Sequence, residues 1–285
     1  MAQIIGLYIY PVKSLQGISL DEAVLTGRGL KHDRNWMITD STGMFVTQRK
    51  LPRMATIGVK IDEKALVLEH DGMDPHFVEL EKAPDGRDRM EATVWGDRCE
   101  VFDEGPGVSR WLTRILGEWN GGELRMVRFA PDFIRPVDPD HMQGQRADTA
   151  FADGYPFLVT SEASLDELNR RLKANHASPV PMSRFRPNIV LGGMEAFVED
   201  RLERFAAMDS SYELVVRKPC KRCSITTVDQ KSGLIGNPKE PLRTLTEMNE
   251  NPDLQGAYFG QNATLAHGEG ATIKAGDRLL EYPAG

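Results

Sequence analysis

Two of the chain's three cysteines, Cys220 and Cys223, form a C-x-x-C inside the stretch VVRKPCKRCSITTVDQ, with Arg217, Lys218, Lys221 and Arg222 packed around them. Four cations beside two thiols would hold a thiolate and draw an anion towards it. Zinc binding, thiol exchange and ligation of another metal all use such a pair. A structural zinc site takes four ligands, and Cys99 with the scattered His32, His70, His76, His141, His176 and His267 supplies no second pair at zinc spacing. A thioredoxin-like pair sits where a strand turns into a helix, whereas SITTV reads as a continuing strand. What remains is a thiolate beside an anion hole, able to ligate the metal of a bulky anionic cofactor. The alternative for each cysteine is a small buried hydrophobe, and Cys99, inside a strand pattern, fits that best.

Three further places carry candidate chemistry. YPFLVTSEASLDELNRRLKANH reads as a hydrophobic strand running into a helix that opens on a capping box of Ser164 and Glu167. Thr160 and Ser161 then fall at a strand-to-helix junction, where exposed N–H groups and the helix dipole suit a phosphate, although most such ends hold only water. In FRPNIVLGG, Arg186 and Asn188 stand two apart, hence on one strand face. An Arg fork suits a phosphate or a heterocycle edge and Asn offers donor and acceptor; an exposed edge pair is the alternative. Asp229, six residues past Cys223, is a candidate proton relay or a turn-initiating Asp before QKSG.

The elements that must position these residues read as mainly β with a few helices, an α+β chain. Short strands separated by Gly, Asp, Asn or Pro are expected at Ile4 to Val12, Asn35 to Thr39, Gly43 to Gln48, Ala55 to Ile61, Ala65 to His70, His76 to Leu80 and Glu91 to Phe102, which suggests a barrel or sandwich. Val108, Trp111, Leu112, Ile115 and Leu116 then recur at helical spacing, a core-facing stripe. Pro131 to Gly154, rich in Pro, Asp and Gly, reads as a long connection of the kind that is often functional.

At 285 residues two domains are expected, and 40% hydrophobic with 27% charged residues is an ordinary globular composition. The net charge of -7 excludes a nucleic-acid binder working by bulk electrostatics. The start, MAQIIGLYIYPVKSLQG, has neither a charged n-region nor a cleavage site and reaches Pro11 and Lys13 too soon to span a bilayer, so a cytoplasmic protein without a membrane anchor is expected.

Taken together, YPVKSLQG, GLKHDRNWMI, VTSEASLDELNRRL, RFRPNIVL, KPCKRCSITTVD and the ending FGQN…ATIKAGDRLLEY resemble the MOSC-domain proteins, and more closely bacterial relatives of the mitochondrial amidoxime-reducing component. The resemblance implies an N-terminal MOSC-associated β-barrel domain (1–120) followed by a MOSC β-barrel domain (121–285). It implies that Cys223 is the protein's sulfur ligand to the molybdenum of a molybdenum cofactor (Mo-molybdopterin), with Cys220 in a supporting place. Lys13, Ser14, Arg34, Thr160, Ser161, Arg186 and Asn188 match positions that hold the pterin and its phosphate. The activity implied is reduction of small N-oxygenated substrates such as hydroxylamines, amidoximes or hydroxylated bases, the alternative being a cofactor or sulfur carrier module without turnover. No cysteine follows Cys223, so a ferredoxin-type run is missing and electrons are expected from a separate flavin or iron–sulfur reductase.

Overall fold

The computed structural model describes residues 1–81, 89–249 and 251–284. Strands dominate, as the alternating segments require, and the described residues hold three α-helices: α1 (Pro106–Leu116), α2 (Glu162–Ala174) and α3 (Leu242–Met248). An eight-stranded sheet runs, edge to edge, through Leu279–Pro283, Leu202–Ala207, Glu213–Lys221, Tyr258–His267, Phe157–Ser161, Ile189–Gly192, Gln3–Ile9 and Ile18–Leu20. Phe157–Ser161 and Ile189–Gly192 pair in parallel, a geometry that needs a crossover, and α2 supplies it. A four-stranded sheet orders Trp36–Thr39, Arg125–Phe129, Asp97–Asp103 and Arg89–Val94. A second small sheet, Gly58–Ile61 with Ala65–Glu69 and His76–Glu79, lies over α1, whose stripe Val108, Trp111, Leu112, Ile115 and Leu116 is buried in a common core with Trp36, Leu66 and Leu68.

The two units exchange elements. The opening strand, Gln3–Ile9, is paired antiparallel with Ile189–Gly192 in the large sheet, while Arg125–Phe129 completes the four-stranded sheet between Trp36–Thr39 and Asp97–Asp103. A division at 120/121 falls before that last strand, so the sheets rather than a single cut define the units. Segments that cross from one unit to the other, at 10–15 and 130–154, run beside the cleft described below.

Several expected strands are shorter, for local reasons. Gly43 to Gln48 forms only isolated bridges, because Asp40 Oδ1 accepts from Thr42 N, Thr42 Oγ1 and Met44 N and ties the segment into a turn. Ala55 to Ile61 begins as a 3-10 turn, Pro52–Thr56, with proline at its start. Glu91 to Phe102 is a hairpin, Arg89–Val94 with Asp97–Asp103, folded at Trp95 (φ 57°) and Gly96. The SITTV stretch is not a strand: Ser224–Thr227 is a 3-10 turn in which the Thr226 and Thr227 hydroxyls donate back to the carbonyls of Cys223 and Ser224 at 2.9 and 2.8 Å, in place of ladder partners. Helix α2 starts one turn earlier than the capping box implies, with Ser161 as N-cap accepting from Ser164 N at 3.1 Å.

Candidate active site

The strand Glu213–Lys221 loses register with Tyr258–His267 at Val216/Lys218 and again at Pro219/Lys221. These irregularities bend its end out of the sheet and deliver Cys220 and Cys223 into an open cleft of about 740 Å³. Lys13, Ser14 and Arg34 enter from the first unit, Trp95 from its hairpin tip, Asp153 and Tyr155 from the long connection, and Arg186 and Asn188 from the approach to Ile189–Gly192. The cleft continues into a wider mouth with Arg49, Arg135, His141, Lys218, Lys221 and Tyr258 on its walls.

Each thiol has its own guanidinium. Arg49 Nε donates to Cys223 Sγ at 3.3 Å, and Arg222 Nη1 donates to Cys220 Sγ at 2.9 Å while its Nη2 holds the Phe185 carbonyl at 2.7 Å. Arg49 lies flat over Trp95, 4.2 Å from the ring centroid, and reaches Asp153 at 4.0 Å. Lys13, almost fully buried, donates to Asp153 at 2.5 Å and to the Phe151 carbonyl at 2.7 Å. Burial pulls the Lys13 ammonium below the usual lysine range, opposed by the Asp153 charge. Asp153 is 59% exposed, so burial weighs little against its ionisation, and Lys13, Arg49 and Arg34 hold its carboxyl well below the usual carboxylate range.

On the opposite wall Arg34 and Arg186 stack on one ring, Tyr10, at 4.3 and 4.2 Å. Burial pushes the Tyr10 phenol up to about 12 against the pull of both arginines, so the ring meets them neutral, as a π face. Arg34 Nη1 donates to both carboxylate oxygens of buried Asp33 at 2.7 Å, and its Nη2 holds the Arg186 carbonyl at 3.1 Å. Burial brings Arg186 down to about 10, which leaves it cationic at neutral pH. Ser14 (φ 70°), Arg34 (φ 49°), Trp95 (φ 57°) and Arg186 (φ 56°) all occupy the left-handed region. Such backbone costs about 1 kcal/mol or more per non-glycine residue and collects where a site over-determines it.

The electrostatic balance is one-sided. Lys13, Arg34, Arg186 and Arg222 face the cleft against the single carboxylate of Asp153, in a chain whose net charge is -7. Three buried donors of lining residues, Trp95 Nε1, the Tyr155 hydroxyl and Arg222 Nε, have no partner among the described residues, and all three atoms are closed to solvent. Among the described residues no group of three or more His, Cys, Asp or Glu is disposed to hold a metal ion.

Comparison with known proteins agrees with this architecture. Residues 1–119 match the MOSC N-terminal beta barrel domain and residues 146–280 match the MOSC domain. The sequence is 33% identical over 284 residues to human mitochondrial amidoxime-reducing component 1, covering 95% of this chain and 80% of that protein. The chain belongs to the MOSC-domain family. Rat mitochondrial amidoxime reducing component 2 is 34% identical over 247 residues, 84% of this chain and 70% of the rat protein. Bovine molybdenum cofactor sulfurase is 28% identical over 270 residues, 90% of this chain but 30% of the sulfurase.

In this MOSC protein the cleft gathers Lys13, Ser14, Arg34, Arg186, Asn188 and Cys223 from four separate stretches of sequence. Asn188 serves there as a joint: its Oδ1 accepts from Leu158 N at 3.1 Å and its Nδ2 donates to the Tyr8 carbonyl at 3.2 Å, so its amide locks neighbouring strands. The strand begins only at Ile189, so Arg186 and Asn188 share the cleft through the left-handed turn at Arg186 and not through strand alternation.

Thr160 and Ser161 do not line the cleft. The Thr160 hydroxyl points to Met182 Sδ at 3.4 Å, and Ser161 is occupied as the cap of α2. Fully buried Glu199 accepts from Ser164 Oγ at 2.6 Å, so a carboxyl already stands where a phosphate was expected. Asp229 lies outside the cleft wall as well. Its Oδ1 accepts from Ser232 N, Ser232 Oγ and Lys231 N, which holds it below the usual carboxylate range and makes it the start of a turn. Sequence reasoning passed over Arg49, Trp95 and Asp153. Only Asp153 carried a signal, its place in the long connection flagged as functional.

Proposed function

We propose that this MOSC protein is a molybdenum-cofactor-dependent reductase of small N-hydroxylated or N-oxygenated compounds, fed with electrons by a separate flavin or iron–sulfur protein. The observation that carries the reading is the Cys223 thiol under the Arg49 guanidinium, in a cationic cleft. The residues fit such a cofactor: a single thiolate can serve a metal that arrives with its own dithiolene, and four cations suit a pterin phosphate. Kinship with amidoxime-reducing components supports the substrate class. Bound here, the group would supply two-electron reduction of an N–O bond.

The protein's share is binding, orientation and charge. Cys223 would be the metal ligand, with Arg49 neutralising the thiolate. Arg34 and Arg186, fixed on Tyr10, would hold the phosphate together with Ser14 and Lys13. Lys13 is committed to Asp153, and that carboxylate, kept ionised, anchors Lys13 and Arg49 and is a poor proton donor. Tyr155 keeps its proton, because burial raises its phenol above the usual range. Asp229 and the Thr160–Ser161 junction have no part in this arrangement. No helix among the described residues is long and apolar enough to cross a membrane, and we place the protein in the cytoplasm.

The test is turnover. Purified protein loaded with the cofactor and given an artificial electron donor should convert benzamidoxime to benzamidine. Protein with a full complement of molybdenum that reduces neither benzamidoxime nor a hydroxylated purine base would instead be a carrier, as the likeness to the sulfurase allows.

A further inference from the structure

Behind the Arg34–Tyr10–Arg186 wall, two buried glutamines from opposite units face each other. Gln230 Nε2 donates to Gln48 Oε1 at 2.9 Å, and Gln48 Nε2 donates to Gln230 Oε1 at 3.1 Å, a closed amide pair. Gln48 is fully buried and Gln230 is 9% exposed. Both amide nitrogens and the Gln230 oxygen are fully used as well. Gln48 Nε2 holds the Ser14 carbonyl at 2.7 Å, Gln230 Nε2 reaches the Val228 carbonyl at 3.2 Å, and Gln230 Oε1 accepts from Arg186 Nη1 at 3.2 Å. Half a turn of either amide would oppose oxygen to carbonyl or donor to guanidinium, so the network fixes both orientations.

We propose that Gln48 and Gln230 are positioning residues, an amide clamp that sets Ser14 and Arg186 in the conformations the cleft needs. Both clients are held at positive φ, 70° and 56°, a backbone state that relaxes unless its surroundings enforce it. The clamp ties Ser14 through its carbonyl and Arg186 through its guanidinium, and it does so across the boundary between the units. Gln48 precedes Arg49, whose side chain holds Cys223, and Gln230 lies in the turn that Asp229 opens, so the pair also joins the Arg49 segment to that turn. Neither glutamine touches the Cys223 thiol. The part of this proposal that concerns cofactor retention rests on the function proposed above.

Two readouts separate the claims. In protein from a host that makes no molybdenum cofactor, phenylglyoxal modification of Arg186 is followed by peptide mass spectrometry, with exposed Arg98 as the internal control. A hydrogen bond to a charged group is worth about a factor of ten or more, so Arg186 should react about ten-fold faster in Gln230→Leu and in the Gln48→Leu/Gln230→Leu double variant, at unchanged Arg98 reactivity. Unchanged Arg186 labelling in the single variant would overturn the clamp. The second readout is molybdenum per chain after purification from a cofactor-making host. The double variant also strands the Ser14 and Val228 carbonyls and an Arg186 donor, so it should melt below the native temperature as one cooperative unit and retain about ten-fold less metal. A double variant that keeps native metal content would also overturn the positioning role. Native protein that carries no molybdenum sinks the reductase reading alone, and the labelling contrast still decides the clamp.

Discussion

Two regions of this chain advertise an anion site in sequence, the basic C-x-x-C and the start of α2, and only one is left with an excess of cations. In the Cys223 cleft, cations outnumber carboxylates four to one. At the start of α2 the donors are spent: Ser161 Oγ caps Ser164 N, Ser164 Oγ donates to Glu199 and accepts from Phe197 N at 2.8 Å. Positive charge drives both readings, from side-chain cations in the first and from the helix dipole in the second. What differs is whether the protein has answered it with its own acid, as Glu199 does, or left it for a ligand. The lesson is that a strand-to-helix junction is a site only when its donors are unclaimed.

This contrast can be broken by substitution. The largest effect is expected at the cleft floor: Cys223→Ala should lower molybdenum per chain by about 100-fold, the scale of losing a metal's only protein ligand, with no change in the melting transition. Normal metal content in that variant, measured by plasma mass spectrometry, would remove Cys223 from the site.

The next effect is on stability, and it belongs to α2. Burial lifts Glu199 from 4.5 up to about 7, against the Ser164 hydrogen bond. A carboxyl raised in the folded state contributes stability that is fully present below its unfolded value, near 4.5, and is lost as the pH rises through about 7. The loss is about 3 kcal/mol at most. Denaturant titrations of the native protein should therefore show stability falling between those values relative to Glu199→Gln, and parallel pH profiles would contradict the assignment. In the cleft, Asp153 has the opposite sign, since its depressed carboxyl supports the fold at neutral pH and ceases to do so in acid.

The smallest effect sharpens the comparison from the other side. Ser161→Ala removes the N-cap of α2 and should cost about 1 kcal/mol in denaturant melts while leaving metal content at the native level. A fall in molybdenum in that variant would return the junction to the cofactor site.

Much of this contrast was readable in advance, and the unread part has a physical source. Alternation and helical spacing are local properties, so the Ala65–Glu69 and His76–Glu79 strands and the buried stripe of α1 could be read directly. Cys223 and Arg186 stood out because one is a thiol among cations and the other an Arg two residues from an Asn, whereas Lys13 and Arg34 came from the family resemblance alone. Arg49, Trp95 and Asp153 did not, because a turn at Asp40, a two-residue hairpin tip and a long connection bring them to the cleft. The SITTV segment failed for a related reason: two β-branched threonines read as strand, but their hydroxyls reach their own backbone and wind a turn. Nor does a linear reading reveal that the opening strand is built into the sheet of the second unit.

The central claim is that the cleft holds molybdenum on a pterin through Cys223. It is tested most directly by the molybdenum and pterin content of protein purified from a cofactor-making host. Molybdenum and pterin in equal amounts, at up to one per chain, is the expected result. Zinc, or no metal and no pterin, would contradict it and leave Cys223 a thiol beside an arginine.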